Sequence, residues 1–328
     1  MTICLYDPEY GYYTTRNPIG AQADFITAPE ISQMFGEMIG VWVTSNWHEL
    51  GKPKAFNLIE LGPGRGTLMK DVLRVLEKNP QLCAGLSLKM VETNPHFRAM
   101  QAEVVKGFDC QWFDGIEAAL QGEAPFILIA NEFLDCLPIK QFIKTDTGWH
   151  EWQVIIDEND RLNFKFADAT QNPPKPIAEN AQVGTIVEIA PALPAIIEAI
   201  SKALRANNGM ALFIDYGYCN NETGDSLQAL HKHEKVWPLS HIGEADLTAH
   251  VDFAVIAETA LGQQIEIIGP KTQQEFLLEM GIEVRAHALC AANPTRTSEI
   301  MNDLSRLIDA SQMGDLFKAI ILKSMKVL

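Results

Sequence analysis

The stretch Asn57-Leu58-Ile59-Glu60-Leu61-Gly62-Pro63-Gly64-Arg65-Gly66-Thr67 decides the fold. Its first half is a short apolar run typical of a buried strand, and glycines then occupy every second position until a helical pattern begins. Glycine lets a backbone turn sharply and approach a ligand where a Cβ would clash. The start of a helix adds unpaired backbone N–H groups to such a turn. The stretch therefore predicts a strand, a ligand-binding turn and a helix, the first unit of an α/β domain.

The glycine spacing and a neighbouring acid narrow the kind of ligand. The pattern is G-x-G-x-G, whereas dinucleotide folds use G-x-G-x-x-G, and Thr67 stands where their third glycine would be. Glu60, two positions before the first glycine, would repel a pyrophosphate but can pair with the amino group of a methionine moiety. A nucleotide-dependent oxidoreductase is therefore disfavoured. A purely structural turn with incidental acids is the other alternative.

Strand and helix patterns alternate along much of the remaining chain. Apolar runs predict strands, and a periodicity of 3.6 residues predicts helices between them. Such alternation is typical of a parallel, doubly wound sheet buried on both faces. The predicted strands are 57–61, 86–91, 126–130, 209–216, 264–268 and 316–323, and the predicted helices are 31–50, 67–78, 95–104 and 246–261.

The middle of the chain breaks this rhythm. Segments 141–144, 151–156 and 162–166 have the pattern of antiparallel strands, and Asp146-Thr147-Gly148 suits a hairpin turn between the first two. We therefore predict an N-terminal lid and helix at 1–52, a core at 53–139 and 182–328, and an inserted antiparallel cap at 140–181.

The segment before the first predicted strand is expected to fold over the ligand as a lid. Its residues are Asp24, Thr27, Pro29, Glu30 and Ser32. Pro29 suits a first helical turn, because its missing N–H costs nothing there, and Glu30 suits the positive end of a helix. Plain capping of the helix that follows explains the same residues, so both interpretations stay open.

Acidic residues also follow two later strands. Glu92 comes directly after the second predicted strand, where a carboxylate can accept hydrogen bonds from both hydroxyls of a ribose. Asp114 precedes Gly115 after a third strand and could reach an adenine edge. An incidental acid is the alternative for each, with more weight for Asp114. Together with the glycine turn, these residues predict a nucleoside pocket.

Composition limits the classes of partner. The 328 residues include 42 acidic and 26 basic side chains, and the formal net charge of −16 repels phosphate backbones, which disfavours a nucleic-acid partner. No apolar run approaches the roughly 18 residues that span a bilayer, so membrane insertion is not expected. The six cysteines form no C-x-x-C pair, and no targeting segment precedes Tyr6. A cytoplasmic location is therefore expected.

His250 and Asp252 suggest a catalytic base or a metal ligand only weakly, and no metal site is predicted.

With these residues in hand, the chain resembles a known family, the MidA-like methyltransferases, which are related to the mitochondrial complex I assembly factor that methylates arginine. The matching segments occur in the family's order along most of the chain, and only the glycine turn is shared with methyltransferases generally. Family members carry an extra helical stretch before the first segment. The segments are YDPEYGYY at 6–13, DFITAPEISQMFGE at 24–37, ELGPGRG at 60–66, NEFLDCLP at 131–138, FIDYG at 213–217 and GEADLTAHVDF at 243–253.

The resemblance implies a class I methyltransferase, an α/β protein with a Rossmann-like doubly wound sheet and S-adenosyl-L-methionine as methyl donor. It also implies a protein substrate, with arginine as the acceptor in the eukaryotic branch and a respiratory complex I subunit as the plausible partner. The oligomeric state stays open, and a homodimer is one possibility. The non-enzymatic alternative is an assembly chaperone that keeps the methyltransferase fold but catalyses no reaction. The expected cofactor-binding residues are Thr27, Pro29, Glu60, Gly62, Pro63, Gly64, Gly66, Glu92, Asp114 and Asn131.

The end of the fourth strand is where this fold places the methyl acceptor. Asn131, Glu132 and Asp135 lie there, in place of the Asn-Pro-Pro-Tyr that tends to mark methyltransferases acting on nucleobases or glutamine. A guanidinium carries no free lone pair, so nearby carboxylates must orient it and help to remove a proton. Glu132 is the leading guanidinium-binding residue, with a helix N-terminal charge as its alternative. Asn131, Asp135 and Asp215 are further catalytic candidates. Asp135 could instead be a capping residue, and Asp215 could instead be a carboxylate that holds the following loop in place.

Overall fold

The computed structural model describes residues 1–15, 27–170, 181–220 and 222–325. Its strands are β1 (Phe56–Leu61), β2 (Leu86–Val91), β3 (Cys110–Phe113), β4 (Phe126–Asn131), β5 (Lys140–Thr145), β6 (Gly148–Ile156), β7 (Leu162–Thr170), β8 (Ile186–Ile189), β9 (Gly209–Tyr218), β10 (Gln228–His231), β11 (Glu234–Val236), β12 (Asp246–Thr248), β13 (Val251–Asp252), β14 (Glu266–Thr272) and β15 (Phe317–Lys323). Its helices are α1 (Thr2–Tyr6), α2 (Tyr12–Thr15), α3 (Ala28–Ile31), α4 (Gln33–Glu49), α5 (Thr67–Leu76), α6 (Pro80–Cys83), α7 (Pro95–Val104), α8 (Ile116–Ala119), α9 (Leu193–Asn207), α10 (Phe253–Gly262), α11 (Gln273–Glu279), α12 (Ile282–Ala292), α13 (Thr297–Ile308) and α14 (Met313–Leu316), with a 3₁₀ turn at Pro294–Arg296.

A central sheet has the strand order β14-β15-β9-β4-β1-β2-β3, and β13 pairs with the end of β9. The strands from β9 to β3 are parallel neighbours, which confirms the Rossmann-like α/β fold. Strand β15 runs antiparallel to both β9 and β14. The expectation of a parallel sheet is therefore wrong for β15, because an apolar run indicates burial but not strand direction.

Both faces of the central sheet are buried, and alternate residues of each strand serve different layers. On β4, Ile127 and Ile129 pack with the apolar residues of α4 and α5. Leu128 and Ala130 of the same strand pack with those of α9 and α10. A strand that faces helices on both sides needs apolar residues at every position, which explains its continuous apolar run.

The carboxyl ends of the parallel strands lie together at one edge of the sheet. This edge is where ligands bind in open α/β folds. The glycine turn follows β1, Glu92 follows β2, Asp114 follows β3 and Glu132 follows β4. The topology thus brings the sequence-predicted residues to one place.

Two smaller antiparallel sheets lie outside the central one. One has the order β7-β6-β5-β8, and the other has the order β11-β10-β12. The three strands predicted within 140–181 are present, but β8 belongs to the same sheet and lies beyond that boundary. The division of the chain into lid, core and cap stays a prediction.

Two predicted helices differ from the structure. The helix predicted over 246–261 is wrong at its start: residues 246–248 form β12, and α10 begins only at Phe253, where the side chain of Asp252 accepts hydrogen bonds from two backbone N–H groups. The first helix is interrupted at Ser32, which is extended and caps α4 through the backbone N–H of Met34. Capping side chains thus determine where α4 and α10 begin.

Within the described part of the chain, no helix combines the length and the apolar character needed to cross a membrane.

Candidate active site

A cavity of about 480 Å³ opens at the carboxyl edge of the central sheet. Six of its lining residues carry carboxylates, and none of the described lining residues is lysine, arginine or histidine. Because carboxylates crowded into one cavity repel one another when they are charged, this lining favours cationic ligands. The carboxylates are Glu92, Asp114, Glu117, Glu132, Asp135 and Asp246.

The glycine turn forms one wall of this cavity. Gly62, Gly64 and Gly66 have φ values of 62°, 51° and 81°, in the left-handed region that favours glycine. A Cβ on Gly62 would lie 2.8 Å from Cδ2 of Phe133, which also lines the cavity. Gly66 donates its N–H to the Pro63 carbonyl at 2.8 Å and starts α5. The turn therefore needs glycine for its backbone conformation and, at Gly62, for space.

Glu60 lies at the end of β1 beneath the turn. Its side chain is 3% exposed, and its Oε2 has no hydrogen-bond partner among the described residues. Burial, and to a smaller extent the charge of Glu92, raises the pKa of Glu60 to about 8. The residue lines a small neighbouring cavity together with Thr27, Pro29 and Asn131. A buried carboxylate oxygen without a partner fits an ammonium group of a ligand.

This raised pKa predicts how the stability of the ligand-free protein depends on pH. In the unfolded chain Glu60 ionises near its ordinary pKa of 4.5, whereas in the folded protein it keeps its proton until about pH 8. The folded state thus binds more protons, so the free energy of unfolding falls between about pH 5 and pH 8. We expect Glu60→Gln to recover on the order of 4 kcal/mol at pH 8. Urea unfolding at pH 5 and pH 8 measures this, with Glu77→Gln as the exposed control. An equal pH slope in the parent and Glu60→Gln would contradict it.

Gln101 connects the glycine turn to Glu92. Its Nε2 donates to the carbonyl of Gly64 at 2.6 Å and to Oε2 of Glu92 at 3.3 Å, and its Oε1 accepts from the indole of Trp112 at 2.8 Å. The other oxygen of Glu92 accepts the backbone N–H of Asn94 at 2.8 Å. Glu92 is therefore held in one orientation. Gln101 is not among the residues predicted from sequence; the feature that could have indicated it is a polar residue on the buried face of α7.

Asp114 lines the cavity but is largely exposed to solvent. Its side chain is 86% exposed and pairs with Arg98, whose Nη2 lies 2.6 Å from Oδ1 of Asp114. The same arginine donates through Nε to the carbonyl of Glu92 at 2.6 Å. Arg98 thus ties together the segments that follow β2 and β3.

Glu132 turns into the cavity from the end of β4. Its φ of 49° is unusual for a residue with a Cβ and marks a constrained backbone. Its Oε1 accepts hydrogen bonds from the backbone N–H of Ala28 at 2.9 Å and from Nδ2 of Asn131 at 3.1 Å. Its Oε2 is buried and has no partner among the described residues. Burial raises the pKa of Glu132 to about 8, although the hydrogen bond from the backbone N–H of Ala28 acts in the opposite direction and lowers this pKa.

Asp215 lies behind the loop that carries these groups. One of its oxygens accepts the backbone N–H groups of Phe133, Leu134 and Asp135 at 2.9–3.2 Å, and the other accepts the N–H of Tyr216. It is not among the described residues that line the cavity. This geometry favours the alternative in which Asp215 holds the loop after β4 in place. We therefore regard Asp215 as a positioning residue. Asp135 does line the cavity, accepts the Tyr216 hydroxyl at 2.6 Å, and has a pKa raised to about 6 by burial.

The N-terminal segment covers part of the cavity. Thr27 lines it, whereas Glu30 turns away, accepting the Thr67 hydroxyl at 2.6 Å. Asp24 lies outside the described residues. Tyr6, Tyr13 and Asp246 also line the cavity, and the sequence analysis assigned no role to them.

Histidines lie outside this cavity. His250 lines neighbouring cavities, and burial lowers its pKa.

A second group of side chains, which was not predicted from sequence, could offer ligands to a metal ion. His231, His241 and Glu244 bring one ligand atom each within 4.8 Å of the others. The two imidazoles stack at 4.3 Å with 7° between their planes, so their in-plane lone pairs do not point at a common ion. The expectation of no metal stays a prediction.

Comparison with known proteins gives concordant matches. Residues 38–271 match the family Methyltransf_28, described as S-adenosyl-L-methionine-dependent methyltransferase. The chain is 34% identical to "Protein arginine methyltransferase NDUFAF7, mitochondrial" of Danio rerio, over 97% of this chain and 81% of that protein. It is 33% identical to the Homo sapiens protein of the same name, over 97% and 77%.

Solved structures share the fold over nearly the whole chain. A crystal structure from Burkholderia thailandensis, bound to S-adenosyl-homocysteine, has a TM-score of 0.83 at 24% identity and covers 98% of this chain and 86% of that one. A native crystal structure from the same organism has a TM-score of 0.82 at 26% identity, with coverages of 98% and 85%. These likenesses agree with the strand order described above.

The expected cytoplasmic location is contradicted by the relatives. The proteins from Danio rerio, Homo sapiens and Drosophila melanogaster are all named mitochondrial. The expectation rested on composition and on the residues before Tyr6, which carry less information on location than relatives matched over 97% of the chain.

Proposed function

The chain belongs to the Methyltransf_28 family of S-adenosyl-L-methionine-dependent methyltransferases, and from this premise we propose that it methylates arginine on a protein. A subunit of respiratory complex I is the partner that we propose. The relatives named protein arginine methyltransferase support the acceptor residue. The acceptor protein follows from the family resemblance.

The observation that carries this proposal is the orphaned carboxylate oxygen of Glu132. It lies at the end of β4, in a cavity that has six carboxylates and no cationic side chain among its described residues. A guanidinium would supply the missing charge and donate to this oxygen. An uncharged acceptor could donate a hydrogen bond to this oxygen but would not balance its charge.

The residues of the small neighbouring cavity, together with the glycine turn, Glu92 and Asp114, fit the cofactor. Glu60 would hold the amino group of its methionine part, beside Thr27, Pro29 and Asn131. The bare turn formed by Gly62, Pro63, Gly64 and Gly66 would pass close to the same part, Glu92 would accept from the ribose hydroxyls, and Asp114 lies at the rim where the adenine would end. When bound, the cofactor supplies a methyl group on a positively charged sulfur.

Transfer of this methyl group needs an acceptor nitrogen held in line and relieved of a proton. Alignment accounts for much of the rate in such displacements. Glu132 would orient the guanidinium through its free oxygen and accept the proton as the new N–C bond forms. Asn131 and the N–H of Ala28 hold the other oxygen, so that the carboxylate does not rotate away.

A labelling experiment tests the proposed reaction. Lysate from a strain that lacks the enzyme is incubated with the purified protein and S-adenosyl-L-methionine carrying a radioactive methyl group. We expect one or a few labelled proteins, and mass spectrometry should find methylarginine in them. Lysate from the parent strain is the control, because its sites are already methylated and should take up little label.

Other outcomes of this experiment separate the alternatives. Methyl groups on lysine, on carboxylates or on small molecules would refute arginine as the acceptor. Cofactor binding without any label transfer would favour the assembly chaperone that keeps the fold without turnover.

A further inference from the structure

We propose that the arginine side chain of the substrate enters the end of the cavity formed by Tyr6, Tyr13, Glu132 and Asp246, where its guanidinium lies against the two tyrosine rings and between the two carboxylates. The inference rests on the proposed function and names the residues that would recognise the acceptor. It assigns a substrate-binding role to the N-terminal residues and to β12.

The topology divides the cavity into two ends. The turns after β1, β2 and β3 supply Gly62, Glu92 and Asp114 at one end. The segment after β4 supplies the other end, and α1, α2 and β12 close around it. Because the first end fits the cofactor, the second is the space left for the acceptor.

The rings of Tyr6 and Tyr13 line this second end as a stacked pair. The centroids of Tyr6 and Tyr13 lie 6.0 Å apart, with 25° between the ring planes. The Tyr6 hydroxyl donates to the carbonyl of Cys136 at 2.9 Å, and the Tyr13 hydroxyl donates to Oδ1 of Asp246 at 2.8 Å. Each ring is therefore held by its hydroxyl. The facing sides of the two rings cover each other, so a ligand would meet the outside of the pair, and a planar guanidinium packs on a tyrosine ring more readily than a tetrahedral ammonium does.

The carboxylates give this end a strong preference for a cation. Glu132 keeps a buried oxygen without a partner among the described residues. Asp135 and Asp246 both add to the negative potential at Glu132, since their charges raise its pKa. A ligand with one positive charge and several N–H donors satisfies these groups together.

The N-terminal segment is fixed in place by contacts to both ends of the cavity. Nδ2 of Asn94, at the start of α7, donates to the carbonyl of Tyr13 at 2.8 Å. Leu5 and Tyr12 are buried against Ala245 and Leu247, beside Asp246. The tyrosines are thus presented by a packed element. The apolar side chains of Phe133, Leu137 and Ile196, which line the same cavity, suit the aliphatic part of an arginine.

Tyrosine NMR tests the site without requiring turnover. The chain has only six tyrosines, so ring ¹³C resonances can be assigned with Tyr6→Phe and Tyr13→Phe variants. The protein, saturated with S-adenosyl-homocysteine, is titrated with N-acetyl-arginine amide and, separately, with N-acetyl-lysine amide. We expect the resonances of Tyr6 and Tyr13 to shift with the arginine compound at concentrations at least tenfold lower than with the lysine compound.

Variants connect this binding to methyl transfer. Asp246→Asn should abolish the arginine-dependent shifts and lower the label transferred to lysate protein at least 30-fold, while S-adenosyl-homocysteine affinity changes less than threefold. Tyr13→Phe keeps the ring and loses its hydrogen bond to Asp246, so we expect a smaller loss of about fivefold to tenfold. Glu234→Gln, an exposed carboxylate on β11, is the matched control and should leave both measurements unchanged.

The outcomes separate this inference from the proposed function. Methylation of protein arginine without any response of Tyr6 or Tyr13 would overturn the site and leave the function standing. Equal responses to the arginine and lysine compounds would overturn the guanidinium preference. Tyrosine shifts with arginine, but methyl groups found only on other residues, would support the site and refute the function.

Discussion

Gly62→Val should abolish binding of S-adenosyl-L-methionine. The new Cβ would lie 2.8 Å from the ring of Phe133, and a β-branched side chain is strained at the φ of 62° that the turn requires. The backbone must therefore move in the turn that we propose to bind the cofactor. We expect the dissociation constant of S-adenosyl-homocysteine, measured by calorimetry, to rise by at least about 100-fold, equivalent to roughly 3 kcal/mol of binding free energy.

Gly107→Val is the matched control for this effect. Gly107 also has a positive φ, of 99°, but a Cβ there would meet nothing within 4 Å. The substitution strains the backbone without filling a binding site, so ligand affinity should change less than threefold even if the melting temperature falls. Comparable affinity losses in the two variants would mean that Gly62 acts through general stability. Unchanged affinity in Gly62→Val would place the cofactor elsewhere.

The positions of the glycine turn and of Glu60, where we propose that the cofactor binds, could be predicted from sequence because the information is local. The strand, the three glycines and Glu60 lie within a few residues of one another, and their spacing reports backbone geometry directly. Glu92 was found for a similar reason, since a residue that follows a parallel strand must lie at the ligand-binding edge. The antiparallel direction of β15 could not be predicted in this way, because its apolar sequence indicates burial but not strand direction.

The acceptor end could not be predicted from sequence in the same way. Tyr13 and Asp246 are separated by 233 positions, and only the fold brings the hydroxyl to the carboxylate. Asp246 was placed in a predicted helix, because its segment is apolar and the cap at Asp252 was not recognised. Asp215 illustrates the converse: its position at a strand end suggested substrate contact, but its oxygens are used by four backbone N–H groups.

Glu132→Gln should reduce methyl transfer strongly while sparing cofactor binding. The amide keeps the size of the side chain and can still accept the N–H of Ala28, but it can neither balance the guanidinium charge nor take its proton. General-base catalysis typically contributes 10²–10⁴-fold, so we expect label transfer to fall by at least about 100-fold. The affinity for S-adenosyl-homocysteine should fall far less than methyl transfer does, because Glu60 is the residue that we propose to hold the amino group of the cofactor, although Glu132 also lines the small cavity beside Glu60.

The pH dependence of the parent gives this prediction its sharpest form. The pKa of Glu132 is raised to about 8, so in the free enzyme the active carboxylate is the minor form at neutral pH and becomes the major form above pH 8. The rate at low acceptor concentration should therefore rise with pH up to about 8 and then level off. Glu132→Asp should retain this rise at a lower rate, since its carboxylate is shorter, whereas Glu132→Gln should lose it. A rise up to about pH 8 that persists in Glu132→Gln would assign the titrating group to Glu60, whose pKa is raised to about the same value. Activity equal to the parent would remove Glu132 from the mechanism.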